Sequence, residues 1–502
     1  MKNLKISLII FTILFFAVFT AVGVKAQGAP DRRLLTVNDT NDTNDTNIAD
    51  GLCLDANGKC TLRAAIDETN ARSGGEFINF ALPVGSVINL TIGELSIRQF
   101  VNIIGPGSAN LTVQRSPNSG TPQFRIFRVQ LDELNSLPIP SMIRGLTLKN
   151  GNTASDGGAV FIYYQNIVEM TDVAVTNNTA TSGGGIFNAG TLFLKRSLIS
   201  SNSANGLFSG GIVNVGLATS VISDSTLTNN SGNQGGAIYN AGSLTLVNNT
   251  ISHNSATTSG SSIANGATGT VNVLNTIIGM DTSLTVSSLA GNFNSLGNNL
   301  ITDARNSTGF TNGTNGDQVS NNNAINPLLG DLADNGGTTQ TRALLSGSPA
   351  IDHGNGCVIN VNCPSPIPTN FFLLTDQRKG FRRNSGSTVD VGAFEAGSSS
   401  STFYVALTSV SENTRLAGSF NILTRASNSE KLYASSNQFS NFRFDDLTNE
   451  FYIFEVRSKR ANTGYISYFN LEDFIFPDSL TSLSFDQDNR KFAVEKKDLP
   501  KK

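Results

Sequence analysis

Between Asp156 and Ser262 one short phrase returns: GGAVFI at Gly157, GGGIFNAG at Gly183, GGIVNVG at Gly210, GGAIYNAG at Gly235, and a weaker GSSIANG at Gly260. The aliphatic residue after the glycines falls at Val160, Ile186, Ile212, Ile238 and Ile263, in steps of 26, 26, 26 and 25 residues. Two residues further on, Asn188, Asn214, Asn240 and Asn265 keep the same beat, with Ile162 in that slot of the first copy. A fixed period of this length means that one structural unit is stacked on copies of itself.

A second register, Val175, Ile199, Leu227, Ile251 and Ile277, precedes an asparagine by three residues in four copies, at Asn178, Asn202, Asn230 and Asn254. A third apolar stretch, Leu192 to Leu194 and Leu244 to Leu246, lies between the other two. Three short strands per unit of about 25 residues describe one coil of a solenoid, and the long 3.6-period runs of helical repeats are missing. Glycine and asparagine suit the corners, because both tolerate left-handed backbone. A disordered Gly/Asn/Ser linker would not keep its apolar residues in step. The reading is an all-β, right-handed parallel β-helix in which isoleucine stacks on isoleucine about 4.8 Å apart and asparagines form a hydrogen-bonded ladder.

Lys2 and Lys5 followed by an apolar run, Ile6 to Val24, and by Val24-Lys25-Ala26 read as a secretory signal peptide cleaved after residue 26. An uncleaved anchor is the alternative reading of the same run. No later segment is apolar enough to span, so the mature chain is expected to be exported, secreted or on a bacterial cell surface or outer membrane. Four cysteines fall in two close pairs, Cys53 with Cys60 and Cys357 with Cys363. Outside the cytoplasm such pairs read as disulfides, and a zinc site would want more than the two histidines, His253 and His353. A formal net charge of -3 offers no basic surface for nucleic acid.

Residues 27–50 contain Asn-Asp-Thr three times over, polar and too poor in apolar area to fold alone. In the next stretch, 51–76, Leu62, Ala65, Ile66 and Thr69 share one helical face behind Thr61 as N-cap. The string Cys60-Thr61-Leu62-Arg63-Ala64-Ala65 resembles the CSLREA domain, with Ala64 in place of the family's glutamate. The helix is expected to lie as a lid over the first coil of a β-helix running through residues 77–325. In the early coils Phe161, Tyr163 and Tyr164 offer either an exposed aromatic patch or interior packing.

After Asn326 come NPLLGDLADNGGTTQTRALLSGSPAIDHG, TDQRKGFRR from Thr375 and DVGAFE from Asp390. These strings resemble the closing segment of choice-of-anchor Q surface proteins, with Lys379 interrupting the family's Gln-Arg-Gly and Arg342 where a histidine is common. The segment, 326–397, is expected to plug the last coil through Leu344, Leu345, Ala350 and Ile351, with Asp352, Asp376 and Arg378 as an ion-pair network. Asp334, Asp352, Asp376, Asp390 and Glu395 are the carboxylates that could instead hold calcium, although turn-forming aspartate needs no ion. Past a linker, 398–401, the aromatic-rich residues 402–502 read as a small β-sandwich. The string from Phe442 to Arg460 is similar to the carboxypeptidase regulatory-like module.

β-helices include pectate lyases and polygalacturonases, whose chemistry needs clustered carboxylates, or aspartate with calcium and a base, on one face. From Gly157 to Asn265 the charged residues are only Glu169, Asp172, Lys195, Arg196 and Asp224. Asp172 and Asp224 are the candidate catalytic acids, and two coils would hold them roughly 10 Å apart. No nucleophile elbow or histidine-containing catalytic string appears. The resemblances imply a polymorphic-repeat surface protein. The expectation is a non-catalytic chain that presents a stiff, uncharged face to a cell-envelope component or an extracellular glycan or protein. The rival expectation is a lyase or hydrolase acting on acidic glycans.

Overall fold

The structure, a computed structural model, describes residues 34–72, 76–130, 140–281, 285–360, 363–367, 373, 375–379 and 388–397, and the backbone of the strands between 405 and 498. The signal-peptide reading therefore falls outside the described residues. The chain divides into two compact units, Arg32–Ser401 and one that contains Thr402–Lys502.

The first unit is a parallel β-helix. Its coils contribute to three long sheets of ten, nine and ten strands in which each strand pairs, in parallel, with its counterpart one coil away. One coil runs Ile186–Asn188, Thr191–Lys195, Leu198–Ser200, and the next Ile212–Asn214, Thr219–Ser223, Thr226–Thr228. The repeat seen in the sequence is the register of the sheet: Val160 pairs with Ile186, Ile186 with Ile212, Ile212 with Ile238 and Ile238 with Ile263. All five are fully buried in a single core with Leu192, Leu194, Val175, Ile199 and their equivalents. Each wholly buried isoleucine contributes about 1.5–3 kcal/mol relative to exposure, so the period is a statement about energy as well as shape.

Polar columns run through the same stack. Asn188 Nδ2 donates to Asn214 Oδ1 at 2.9 Å, Asn214 to Asn240 at 2.8 Å and Asn240 to Asn265 at 2.8 Å. A second column links Asn178, Asn202, Asn230 and Asn254 at 2.9, 3.0 and 3.1 Å. An amide both donates and accepts, so each asparagine satisfies the one beneath it and is satisfied by the one above. The paired glycines explain themselves by contact: a Cβ on Gly184 would sit 2.2 Å from Ser203 O in the coil above, whereas its neighbour Gly183 takes the left-handed turn at φ 62°.

Two features depart from the sequence reading. The second register continues from Ile251 to Ile278, and Ile277 pairs instead with Thr250 and faces outward. Steps in this register are uneven, 24, 28, 24 and 27 residues, so a reading one residue short lands on the opposite face, because strand side chains alternate. A fourth, four-stranded sheet, Thr179–Ala180, Ser203–Ala204, Ser231–Gln234 and Ser255–Ser259, has no apolar alternation to mark it in the sequence.

The N-terminal end is closed by the helix Leu62–Asn70. Thr61 caps it by accepting from Ala64 N, and Leu62, Ala64, Ala65 and Ile66 join the solenoid core. Its polar side chains serve the free edge of the first strand in the nine-stranded sheet, Leu95–Ile97. Asn70 Nδ2 donates to Ser96 O at 2.7 Å, its Oδ1 accepts from Arg98 N at 2.8 Å, and Arg63 Nη2 donates to Gly93 O at 2.7 Å. The Asn-Asp-Thr repeats are built into this cap: Asp42 pairs with Arg63 at 2.6 Å and accepts from Ile92 N, and Thr43 O accepts from Thr61 Oγ1 at 2.6 Å. Ahead of them, Leu34–Val37 forms the outermost strand of the first sheet. Cys53 and Cys60 are disulfide-bonded, as are Cys357 and Cys363.

The described residues of 326–397 do not plug the last coil. They run along the outside of the solenoid as a strap, because several coils carry outward apolar residues that need cover. Leu344, Ala350, Val391 and Phe394 pack on Ile277 and Leu300, while Val358, Ile367, Leu373 and Val389 pack on Val247 and Leu274. Leu345, expected in the plug, is exposed. Buried Gln377 fastens the strap by accepting from Thr226 Oγ1 at 2.6 Å and donating to Ser197 O at 3.2 Å.

The second unit contains two four-stranded sheets. Phe439–Asp446, Phe451–Ser458 and Gly464–Asn470 pair antiparallel in one of them, as the alternation in the sequence suggests. Among the described residues no helix is long and apolar enough to cross a membrane.

Candidate functional site

After each of the last seven strands of the first long sheet the chain turns within one residue. That residue is left-handed in successive coils: Gly145, Asp172, Arg196, Asp224, Asn248, Asn275 and Asn298, with φ between 45° and 60°. Glycine, asparagine and aspartate are the usual occupants of such backbone, so the arginine is the unusual member of the column. It pairs with Asp172 one coil below.

Asp172 lies buried between the coils below and above it. Arg144, next to the preceding corner, brings Nη2 to 3.2 Å of its Oδ2, and Arg196, at the following corner, brings Nε to 3.2 Å of its Oδ1. The strap adds Lys379 Nζ at 3.6 Å and a hydrogen bond from Thr338 Oγ1 at 3.0 Å. Burial by itself raises this carboxyl, but Arg196, Lys379 and Arg144 together hold it well below the usual carboxylate range. Asp224, also fully buried, occupies the same corner two coils above Asp172, with Arg196 in the coil between.

The two candidate acids therefore stand in one column, as their spacing suggests, but as the negative members of an alternating column and not as a facing pair. Asp172 cannot give up a proton it does not hold at neutral pH, and a general base must reach its substrate. The strap covers this corner: Thr339 Oγ1 donates to Arg196 O at 3.1 Å, next to the Thr338 bond to Asp172. Sequence reasoning named the aspartates and missed their cations. The signal was present, because Arg196 lies 24 residues after Asp172, the same step that separates Asn178 from Asn202.

The five carboxylates named for calcium separate into different tasks. Asp376 pairs with Arg378 at 2.6 Å and accepts from Glu395 N at 3.0 Å, and the Arg378 guanidinium lies 3.5 Å from the Phe394 ring centroid. Asp390 accepts from Asp352 N at 2.8 Å, and Glu395 accepts from Asp390 N at 3.0 Å. Asp352 occupies a left-handed turn, and Asp334 accepts from Gly336 N in a separate exposed one. Of the ion-pair network expected here, the pair Asp376 and Arg378 forms, with Asp352 joined through its backbone. Among the described residues no three His, Cys, Asp or Glu side chains come together so as to hold a metal ion.

On the nine-stranded sheet the outward residues Phe161, Phe187, Val213 and Tyr239 follow one another coil by coil. Phe161 and Phe187 stack with centroids 5.3 Å apart and planes 3° from parallel, and Phe208 stacks on Tyr239 at 4.1 Å. Tyr163 and Tyr164 beside them are 45% and 47% exposed, and Leu217 is 86% exposed. Of the two fates the sequence left open, Tyr163 and Tyr164 take the exposed one, and Phe161 is part-buried.

No family model matches this sequence, and no curated protein does. Among solved structures, the crystal structure of pectate lyase Pel9A is similar over 73% of this chain and 97% of that one, at 15% sequence identity and a TM-score of 0.33.

Proposed function

We propose that this chain is a non-catalytic exported or cell-surface protein whose solenoid presents an uncharged face to a component of the cell envelope or to an extracellular glycan or protein. One observation carries the reading. Of the five charged residues in the regular coils, three, Asp172, Arg196 and Asp224, are buried at one corner, where the strap covers Asp172 and Arg196. What those coils offer outward on the nine-stranded sheet is the part-exposed rings of Phe161, Phe187 and Tyr239, with Arg125 from the preceding coil over the Phe161 ring. The stacked rings present their edges, with their faces turned to one another along the axis, which suits contact with a broad apolar surface better than a sugar held between rings.

The test uses the full chain immobilised against envelope extracts, beside the triple variant Tyr163→Ala, Tyr164→Ala, Leu217→Ala. Capture of envelope material by the wild type and its loss in the triple variant is the expected result. Equal capture by both would move the contact to another face, and no capture by either would contradict the reading.

A further inference from the structure

The cap at the solenoid's N-terminal end leaves one strand edge open. Leu34–Val37, outermost in its ten-stranded sheet, pairs in parallel with Glu76–Phe80 on one side. Ala81 N donates to Val37 O at 2.8 Å, which fixes the direction of the backbone. Peptide groups alternate sides along a strand, so those of Leu35 and Val37 face the neighbouring strand and those of Leu34 and Thr36 face away from it. Asn38 N, next on the outward side, donates to Cys60 O of the cap at 2.9 Å, and there the cover stops. Leu34 and Thr36 are exposed, and among the described residues no hydrogen bond reaches the outward backbone of Thr36.

Beside this edge the cap turns its apolar residues out. In Gly51-Leu52-Cys53-Leu54-Asp55 the glycine, the cysteine and the aspartate are buried and both leucines are exposed, the reverse of ordinary burial. The loop is pinned in that arrangement. Glu68 accepts from Ala49 N and Gly51 N, Thr46 N donates to Leu54 O at 3.0 Å, and Cys53 is bonded to Cys60, the residue that holds Asn38. Cys60 thus ties the outward leucines to the open strand, and Ile48 is exposed on the same loop. The rim is acidic. Between Leu34 and Thr61, Asp42 is paired with Arg63 and Asp55 is buried, which leaves Asp39, Asp45 and Asp50 wholly or partly open to solvent against Lys59.

We propose that this end of the solenoid is a docking site for an extended segment of another protein, apolar and basic at alternate positions, which adds a strand to Leu34–Val37. An open edge takes a strand through its unpaired peptide groups. Side chains of the added strand alternate between two faces, so apolar residues on one of them lie toward the cap leucines and basic residues on the other meet the acidic rim. The same acids oppose a second copy of this end, which would bring carboxylate against carboxylate. The site belongs to a different sheet from the aromatic face, and either contact can fail without the other.

Fluorescence anisotropy on the full chain tests this, with a labelled eight-residue peptide alternating leucine and lysine and a twin alternating leucine and glutamate. The lysine peptide should bind at least about tenfold more tightly than its twin and weaken as salt rises. Thr36→Pro removes the outward N–H while keeping the bonds to Glu76–Phe80, since edge strands tolerate proline, and should weaken binding about tenfold or more. Leu52→Ser, Leu54→Ser should weaken it as well. Two further lysine peptides, N-methylated at one or the other set of alternate amides, repeat the test on unaltered protein, so that the folding of a variant does not decide it. One should bind about tenfold or more weakly than the other, because only one set of amides faces the edge. No binding of the lysine peptide, equal binding of its glutamate twin, or equal binding of the two methylated peptides would overturn the proposal. So would a dimer in sedimentation velocity that Thr36→Pro splits, which would make a second copy the occupant.

Discussion

Arg196 stands one coil above Asp172 at the same left-handed corner, with its Nε 3.2 Å from the aspartate's Oδ1 and both side chains buried. Removing one charge from such an arrangement strands the others. Asp172→Asn removes the buried carboxylate that Arg144, Arg196 and Lys379 share, and should cost about 3–5 kcal/mol in urea unfolding. Adding Arg196→Asn gives both corners the residue found at Asn248 and Asn275 but takes away the cation between Asp172 and Asp224, and should recover little of that loss.

Acid should act through the same carboxyl. Its folded-state pKa is depressed, so its stabilisation is present above the ordinary value of 3.8 and is lost as pH falls below it toward the native value. Unfolding midpoints measured from pH 5 down to pH 2 should fall in the wild type and fall less steeply in Asp172→Asn.

Asn214 sits in the middle of its ladder, fully buried, bonded through Nδ2 to Asn240 Oδ1 and Ser243 O and through Oδ1 to Asn188 and Ser220. Asn214→Ala should cost about 1–3 kcal/mol for the buried polar partners it leaves unmatched. Asn265, at the end of the ladder and only half-buried, should cost less on the same substitution, and a pair of thermal unfolding curves compares them.

Glycine positions separate contact from conformation. Gly184→Ala drives a Cβ into Ser203 O and should destabilise by more than about 3 kcal/mol or prevent folding. Gly216 is left-handed but has nothing within 4 Å of its would-be Cβ, so Gly216→Ala should cost only about 1–2 kcal/mol. Expression level and urea midpoint of the two variants check the order.

The solenoid was legible in the sequence because its core residue and its ladder asparagine recur at the spacing of the coils, so that Ile212 and Asn214 announce the register by themselves. The cap was legible from Thr61 and the apolar face behind it. The slip at Ile277 was not, since the coils of this register differ in length and a one-residue error puts the side chain on the other face. The strap was misread as a plug because apolar residues such as Leu344 and Ala350 say that they are covered and not by what. At the corner, Asp172 and Asp224 drew attention as acids, and the cations that answer them come from two other coils and from Lys379, more than 200 residues away in the chain.

The proposed function requires that corner to be structural. Purified full-length protein incubated with pectic and other acidic glycans, with and without calcium, and followed for unsaturated or reducing ends, tests this most directly. The expected result is no turnover above a boiled control under either condition. Turnover that Asp172→Asn or Asp224→Asn abolishes while circular dichroism shows the fold intact would contradict it.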